Sequence, residues 1–279
     1  MRRCPVRYQT ALLLLLVLFI QILPGCAFQS PYAGRNPENP QFERGHPFPP
    51  LDFFGDFISK PFQLLFWTLR YGNHRVSEET EKALAQFLVD YQLQDVKVRI
   101  NQWAPHKEIG RLVTNKHIAW PYKILYFPST LIASLLGRPF SGLLISDYYD
   151  PASNTIHLFS DEVPIALHEA GHAKDFASRR FKGTYALVRI FPGIDVFQEA
   201  VASDEAFNYL EGKENYEELF RAYNILYPAY STYISSYISF TPFSLLGAIG
   251  IGHIIGRSAS HDKKEELLNA GKIPPTQIV

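Results

Sequence analysis

The sequence predicts an α+β fold, in which a small β-sheet lies beside a central helix and a mainly helical part follows. Residues 96–100 alternate apolar and charged side chains, as a strand with one buried face does. Residues 77–92 begin with a capping serine and an acidic turn and then place apolar residues three or four positions apart, which is typical of an amphipathic helix. The chain has 279 residues, of which 47% are hydrophobic and 19% charged, so it is long enough to bury one substantial core.

The charge balance and the aromatic content exclude two classes of protein. The 27 Lys and Arg residues equal the 27 Asp and Glu residues in number, whereas proteins that bind nucleic acid usually carry a basic excess or a basic stripe. We therefore expect no nucleic-acid partner. The 21 Phe and 16 Tyr residues are more than a disordered chain carries, so we expect the chain to fold.

The N-terminus has the pattern of an export signal. Three arginines in the first seven residues precede an unbroken apolar run over residues 11–20. Residues 23–26, Leu-Pro-Gly-Cys, resemble the lipobox of bacterial lipoproteins, although Pro24 departs from the usual small residue. This resemblance implies a signal peptide over residues 1–25 and a lipid on Cys26. An uncleaved signal anchor is the alternative, and either interpretation places the rest of the chain outside the cytoplasm, because the arginines stay inside.

The residues after the cleavage position indicate where the protein is held. The second residue of the mature chain is Ala27 rather than the aspartate of an inner-membrane retention signal, so the outer membrane, facing the periplasm, is favoured. Loss of Cys4 with the signal leaves Cys26 without a partner for an intramolecular disulfide. Residues 26–50 are rich in proline and predict an extended tether. Residues 51–279 are then the folded domain.

A hairpin and two helices are predicted in the middle of the chain. Residues 143–149 and 155–159 are short β-prone segments separated by the turn sequence Asp-Pro-Ala-Ser-Asn. They lead into a helix that ends near Phe181, and a second helix over residues 196–210 follows a Pro-Gly break.

The sequence does not determine the structure of two apolar segments. Residues 118–136 do not distinguish a helix from a strand. Residues 222–256 contain no Lys, Arg, Asp or Glu, and the part from 238 to 255 is long enough for a membrane span. A buried core helix broken at Thr241-Pro242 is the alternative, and the Ser, Tyr and His residues of the segment favour it.

A His-Glu-x-x-His motif lies inside the predicted helix that follows the hairpin, as His168-Glu169-Ala170-Gly171-His172. The spacing of four residues puts both imidazoles on one face of the helix, one turn apart, so two nitrogens can reach one metal ion. Glu169 projects about 100° round the helix from His168, and in zinc peptidases a glutamate at this position holds the metal-bound water rather than the metal. The motif predicts a metal site with His168 and His172 as ligands.

The stretch from 155 to 212 resembles a zincin metallopeptidase of the gluzincin type, whose third zinc ligand is a glutamate on a later helix. The resemblance implies Zn²⁺, an edge strand at 155–159 that aligns a peptide substrate, and Glu169 as the general base. Metzincins are excluded because Asp175 and Ser178 stand where their glycine and third histidine would be. The motif is also similar to that of ATP-dependent membrane peptidases, but the sequence has no Gly-x-x-x-x-Gly-Lys-Ser/Thr phosphate loop.

Glu199, on the predicted helix over 196–210, is the third ligand that the resemblance implies, because a catalytic zinc takes three protein ligands and keeps one position open. Asp204 and Glu205 are the alternative ligands. In the glutamate-type families an aspartate four residues after the ligand commonly hydrogen-bonds a ligand histidine. Here Ser203 has that position, whereas Asp204 is turned about 140° from Glu199, and both are kept as supporting residues.

The residue that would stabilise an oxyanion is not assigned from the sequence. Four residues are eligible because they follow the motif, namely Tyr223, Tyr227, Tyr230 and His253. The helical spacing of the tyrosines from 230 to 237 is typical of packing residues, and His157 in the predicted edge strand is interpreted as an ordinary strand side chain.

Together these patterns predict a membrane-tethered zinc metalloendopeptidase that hydrolyses peptide bonds in envelope proteins. The expected partners are a protein or peptide substrate and a membrane, bound through the N-terminal lipid. A non-catalytic lipoprotein that uses the zinc site to bind a partner is the alternative. The presence of Glu169 favours the enzyme, because a structural zinc site needs no general base.

Overall fold

The computed structural model describes residues 40–46, 48–143, 145–191, 193–238 and 241–274. Within them the strands are β1 (Phe42–Arg44), β2 (Lys97–Ile100), β3 (Tyr148–Asp150) and β4 (Thr155–Leu158). The helices are α1 (Pro49–Leu65), α2 (Glu78–Asp90), α3 (Pro105–Thr114), α4 (Trp120–Leu136), α5 (Val163–Ser178), α6 (Lys182–Leu187), α7 (Ile194–Gly212), α8 (Tyr216–Ile238) and α9 (Pro242–Asn269), with a 3₁₀ turn (Val188–Ile190) before α7. The predicted α+β class and the helical C-terminal part are confirmed.

The strands form one sheet in the order β1-β2-β4-β3. β1, β2 and β4 run parallel, whereas β3 runs antiparallel to β4. The hairpin is confirmed, although its first strand begins at Tyr148 rather than near residue 143. The prediction of 155–159 as the edge strand is wrong, because β2 pairs with the far side of β4 and Val98 lies opposite Ile156. β1 and β3 are the edge strands, β3 being the one beside β4, and every residue of β4 is buried.

The folded region begins earlier than predicted. β1 lies inside the segment 26–50 that was predicted as a tether, and Phe42 is buried in the main core. The side-chain amide of Gln41 donates hydrogen bonds to the carbonyl oxygens of Leu93 and Val96, at 2.7 and 2.9 Å. Burial of one aromatic side chain and pairing with β2 therefore outweigh the extended, proline-rich composition. The export signal, Cys26 and the first part of the tether lie outside the described residues.

Local signals in the sequence explain where the helices begin. The Ser77 hydroxyl caps α2 by accepting a hydrogen bond from the backbone N–H of Thr80, as the capping pattern predicts. The undecided segment 118–136 is a helix, and Pro121 occupies its first turn, where a missing N–H costs nothing. The helix predicted to end near Phe181 ends at Ser178, and the helix predicted over 196–210 is α7.

Helix α5 lies at the centre of the fold. It packs against α2, α7 and α8 as well as against β3 and β4, and its Leu167 and Ala170 are fully buried. The surrounding core contains Leu84 and Phe87 of α2 and Ile156 of β4. Because α5 carries the His-Glu-x-x-His motif, the motif is held by packing on several sides.

The apolar C-terminal segment forms the helices α8 and α9, which are separated at Thr241. The two helices approach closely in opposite directions. A Cβ on Gly252 would lie 2.7 Å from the Cα of Pro228, and one on Gly256 would lie 2.4 Å from the carbonyl oxygen of Tyr223. None of the helices in the described ranges has the length and apolar character that a membrane crossing needs.

Candidate metal centre

The candidate site forms where α5 and α7 come close together. A Cβ on Gly171 would lie only 2.5 Å from the carbonyl oxygen of Ala202, so a glycine is required for this approach. Gly171 stands between the two histidines of the motif, and Ala202 follows Glu199 by less than one turn of helix. The close approach therefore brings the motif of α5 opposite the carboxylate of α7.

The three predicted ligands are brought together. Nε2 of His168 lies 3.0 Å from Oε2 of Glu199, and Nε2 of His172 lies 3.3 Å from Oε1 of the same carboxylate. One ligand atom from each of the three residues lies within 4.8 Å of the others. The imidazole rings are 4.7 Å apart and nearly perpendicular, at 85°.

This donor set fits zinc. Two imidazole nitrogens and one carboxylate oxygen are the ligands of one class of catalytic zinc site, which keeps a fourth position open. Glu199 is only 2% exposed, and the two imidazoles and Arg189 that surround it favour its ionised, ligating form. The residues present therefore fit the ion that the sequence predicts.

Ser203 lies where the helical period predicts it. Its Oγ is 3.2 Å from Nδ1 of His168, the ring nitrogen that faces away from Glu199. A hydrogen bond at this nitrogen fixes the orientation of the ring and selects its tautomer.

The other acidic residues of α7 do not reach the site. Asp204 is exposed, so the prediction that it supports a ligand histidine is wrong, and so is its alternative role as a ligand. Glu205 forms an ion pair with Lys174 of α5, which excludes it as the third ligand. Both outcomes follow from the helical period, because only positions one turn from Glu199 share its face.

Glu169 lies beside the ligands and is not one of them. Its side chain is 7% exposed. Burial raises the pKa of Glu169 to about 7, the His168 ring opposes this change, and the charges of Glu199 and Asp147 add to it. A carboxyl group with a pKa near neutrality is suited to exchange protons at physiological pH.

Burial and neighbouring charges shift the pKa values of the three candidate ligands in different directions. Burial opposes ionisation of Glu199, but the charges and hydrogen bonds of His172 and His168 hold the pKa of Glu199 well below its usual range. Burial also lowers the pKa of His172, which favours the neutral imidazole that binds metals. For His168, the hydrogen bond and charge of Glu199 outweigh burial and raise the pKa.

Two residues of the site were missed from the sequence. Arg189, in the 3₁₀ turn, donates to Oε1 of Glu199 and offsets the charge of that carboxylate. Tyr233 of α8 lines the cavities beside Glu169 and Glu199, and burial, followed by the charge of Glu199, raises its pKa well above the usual value. Its helical spacing had indicated a packing residue. Arg189 has no local signal at all, because an isolated arginine in a loop belongs to no motif.

The eligible oxyanion donors are mostly placed elsewhere. Tyr223 stacks on Phe207 and Tyr227 stacks on Tyr223, and Nε2 of His253 lies 2.7 Å from the carbonyl oxygen of Leu65. Tyr230 lines a cavity next to His168. His157 stacks on Tyr148 within the sheet, which agrees with its interpretation as a strand side chain.

Cavities adjoin the site on two sides. One, of about 390 Å³, lies towards His172 and the edge strand β3 and is lined by Tyr148, Tyr149 and Asp150. The other, of about 300 Å³, lies towards His168, and its lining includes Phe62 of α1, Ala229 of α8 and Leu245 of α9. Glu169, Glu199 and Tyr233 line both cavities, so an extended ligand that occupied both would pass over the three residues.

Comparison with known proteins identifies no relative. No family model matches the chain, and no curated protein or solved structure matches it.

Proposed function

We propose that this protein is a zinc metallopeptidase, similar to the zincins whose third ligand is a glutamate, and that it hydrolyses peptide bonds in proteins of the cell envelope. The observation that carries the proposal is the convergence of His168, His172 and Glu199, with the buried Glu169 beside them at the junction of two cavities. A site that only binds zinc would need neither the carboxyl group of Glu169 nor the space on either side of it.

The residues of the chain have distinct roles in this mechanism. Zinc, when bound, acts as a Lewis acid that polarises the scissile carbonyl group and makes water more acidic. Glu169 accepts the proton of the attacking water and transfers it to the leaving amine, so that the peptide C–N bond breaks and the proton is returned. Ser203 holds the ring of His168, and Arg189 balances the charge of Glu199. Tyr233, which lines both cavities, would donate a hydrogen bond to the substrate carbonyl oxygen.

The test compares two carboxylate variants. Glu169→Gln keeps the shape of the side chain but accepts no proton, so we expect it to retain zinc and to lose about 10² to 10⁴-fold in peptide hydrolysis. Glu199→Ala removes a ligand and should lose zinc together with activity. The zinc content and the rate of hydrolysis of a peptide library are measured on the same preparations.

Two outcomes would contradict the proposal. If Glu169→Gln hydrolyses every substrate as fast as the unmodified protein, the site is not catalytic in the way described. If the unmodified protein binds zinc but no preparation hydrolyses any peptide, the alternative function is supported, namely a zinc-binding lipoprotein that holds a partner.

The attachment to the membrane is proposed from the lipobox-like residues before Cys26. The protein would then be held at the outer membrane, facing the periplasm. Cys26→Ser should leave an unprocessed chain without lipid, and intact mass spectrometry distinguishes the two forms. An intact N-terminus in the unmodified protein would instead indicate a signal anchor.

A further inference from the structure

One face of the molecule exposes large apolar side chains from two neighbouring elements. We call it the docking face, and it consists of Leu64, Trp67, Phe243, Ile251 and Ile254. Phe243 is 85%, Ile254 71% and Trp67 67% exposed. Phe243, Ile251 and Ile254 share one side of α9, with only glycines at the intervening positions 247 and 250. Exposed apolar side chains that form a contiguous patch, unlike single ones, mark an interaction surface.

Contacts behind the docking face join its two parts. The indole ring of Trp67 stacks on the imidazole of His253 at 4.4 Å, and Nε2 of His253 lies 2.7 Å from the carbonyl oxygen of Leu65. The guanidinium of Arg257 lies 4.0 Å above the ring of Trp67. The end of α1 and the middle of α9 are therefore one surface, with a tryptophan and an arginine at its border.

The charges of α9 are segregated along its length. From Pro242 to Gly256 the helix has no ionisable acid or base apart from His253, whereas Arg257, Asp262 and four further charged residues follow within ten positions. The apolar half is roughly 22 Å long, shorter than the hydrocarbon core of a bilayer, which is about 30 Å thick. Such a helix can lie in the boundary of a bilayer but does not cross it. Trp and Arg are the side chains that occupy this boundary, because each combines an apolar body with a polar tip.

We infer that the docking face rests in the surface of a lipid bilayer, with the apolar half of α9 in the hydrocarbon boundary and Arg257 at the level of the headgroups. The chain outside the described residues supports a bilayer as the occupant. Cys26, the proposed lipid site, precedes Phe42 by 16 residues, a stretch that reaches at most about 55 Å. A lipid on Cys26 would keep the bilayer within this distance of β1, so that docking would be an intramolecular step with a high effective concentration.

The inference goes beyond the proposed hydrolysis and does not depend on it, but its choice of a bilayer as the occupant rests on the proposed lipid at Cys26. Phe62 and Phe66, beside the docking face, and Leu245 of α9 line the cavity next to His168. Docking would therefore place this cavity close to the membrane surface. The zinc site and the docking face are tested by different measurements, so either can fail alone.

The test uses the full chain, reconstituted in vesicles of phosphatidylethanolamine and phosphatidylglycerol that contain brominated lipid. Bromine quenches tryptophan fluorescence only over a short distance. The exposed tryptophans are Trp67, which belongs to the docking face, and Trp120 at the start of α4, which does not. We expect the lipid-dependent quenching to disappear in Trp67→Phe and to persist in Trp120→Phe. The reverse result, or no quenching in the unmodified chain, would overturn the inference.

A matched pair of charged variants adds a second readout. Ile254→Asp on the docking face and Ile124→Asp on α4 replace isoleucines that are 71% and 67% exposed. A buried carboxylate is expensive in a bilayer, so Ile254→Asp should lower the docked population about tenfold, whereas Ile124→Asp should leave it unchanged. Circular dichroism confirms that both variants fold. Quenching that is equal in the two variants, or that changes with the protein-to-lipid ratio as pairing between two copies would, contradicts docking on lipid.

Discussion

Ser203 and Asp204 are neighbours in the sequence with opposite surroundings. Ser203 is buried against Nδ1 of His168, and Asp204 is exposed on the other side of α7. An aspartate would supply a charged acceptor to a ligand histidine, whereas the serine supplies a neutral hydroxyl, so the ring of His168 is oriented without an additional negative charge at the site.

Replacing Ser203 tests this role. Ser203→Ala removes the hydrogen bond to His168, and we expect zinc affinity to fall by about 10 to 100-fold. Asp204→Ala is the matched control and should leave the affinity unchanged, because the side chain points to solvent. Competition with a chromogenic chelator measures both. If Asp204→Ala lost more zinc affinity than Ser203→Ala, then Asp204 rather than Ser203 would be the partner of His168.

His74 is a buried histidine remote from the metal centre. Its Nε2 lies 2.6 Å from Oγ of Ser141, and its Nδ1 lies 3.6 Å from Oδ1 of Asp52, which also binds Arg138. Burial lowers the pKa of His74 to about 4, the charges of Asp52 and Asp56 oppose this shift, and that of Arg138 adds to it.

This histidine makes stability depend on pH. The unfolded chain binds a proton at His74 below about pH 6.5, whereas the folded chain binds it only below about 4. The free energy of unfolding should therefore decrease as the pH falls from 6.5 to 4, by about 3 kcal/mol from this group. His74→Gln should show a flatter profile in urea denaturation, and His261→Gln, at an exposed histidine, should follow the unmodified protein. Parallel profiles for all three proteins would contradict this assignment.

At the scale of elements, the contact between α5 and α7 determines the geometry of the site. Gly171 leaves no room for a Cβ, and the two ligands of α5 lie on either side of it. The separation of the helices therefore sets the distance from the imidazoles to Glu199. Any group that pushes the helices apart should change stability and metal binding together.

Gly171→Ala is the corresponding variant. The added methyl group meets the backbone of Ala202, so we expect a loss of about 1 to 3 kcal/mol in the free energy of unfolding and weaker zinc binding. Gly110→Ala, in the exposed part of α3, is the control, because nothing lies within 4 Å of the added Cβ. There we expect up to about 1 kcal/mol of stabilisation from higher helix propensity. Urea denaturation and metal analysis check both variants. Unchanged zinc affinity in Gly171→Ala would mean that the contact between α5 and α7 does not determine how the site binds zinc.

At the scale of the whole molecule, the proposed ion links the element at the centre of the core to a helix that follows it. α5 packs on the sheet and on α2, while α7 packs on α8. Metal binding is therefore coupled to the folding of both parts, because the unfolded chain has no preformed site.

Chelation should reveal this coupling. Removal of zinc with EDTA should lower the melting temperature of the protein, and at a free zinc concentration 1,000 times Kd the stabilisation amounts to about 4 kcal/mol. The double variant His168→Ala, His172→Ala should melt at the lower temperature with or without EDTA. Differential scanning calorimetry with and without added zinc measures the difference. A double variant that still responds to EDTA would place the metal elsewhere.

Local patterns were sufficient for much of the fold and of the site. The amphipathic helix after Ser77, the hairpin and the helix of the motif were predicted because periodicity and capping act over a few residues. His168 and His172 were predicted from the motif and its helical spacing, and Glu199 and Ser203 from the resemblance to zincins. These assignments needed no knowledge of distant contacts.

Tertiary contacts decided the rest. β4 is an inner strand because β2, from a distant part of the chain, pairs with it, and β1 belongs to the sheet because Phe42 finds a place in the core. Arg189 and Tyr233 join the site only because a 3₁₀ turn and α8 pack against α7. The choice of Glu199 over Asp204 and Glu205 depends on which face of α7 meets α5. Spacing along one element determines which side chains lie together on it, and only packing between elements determines what those side chains face.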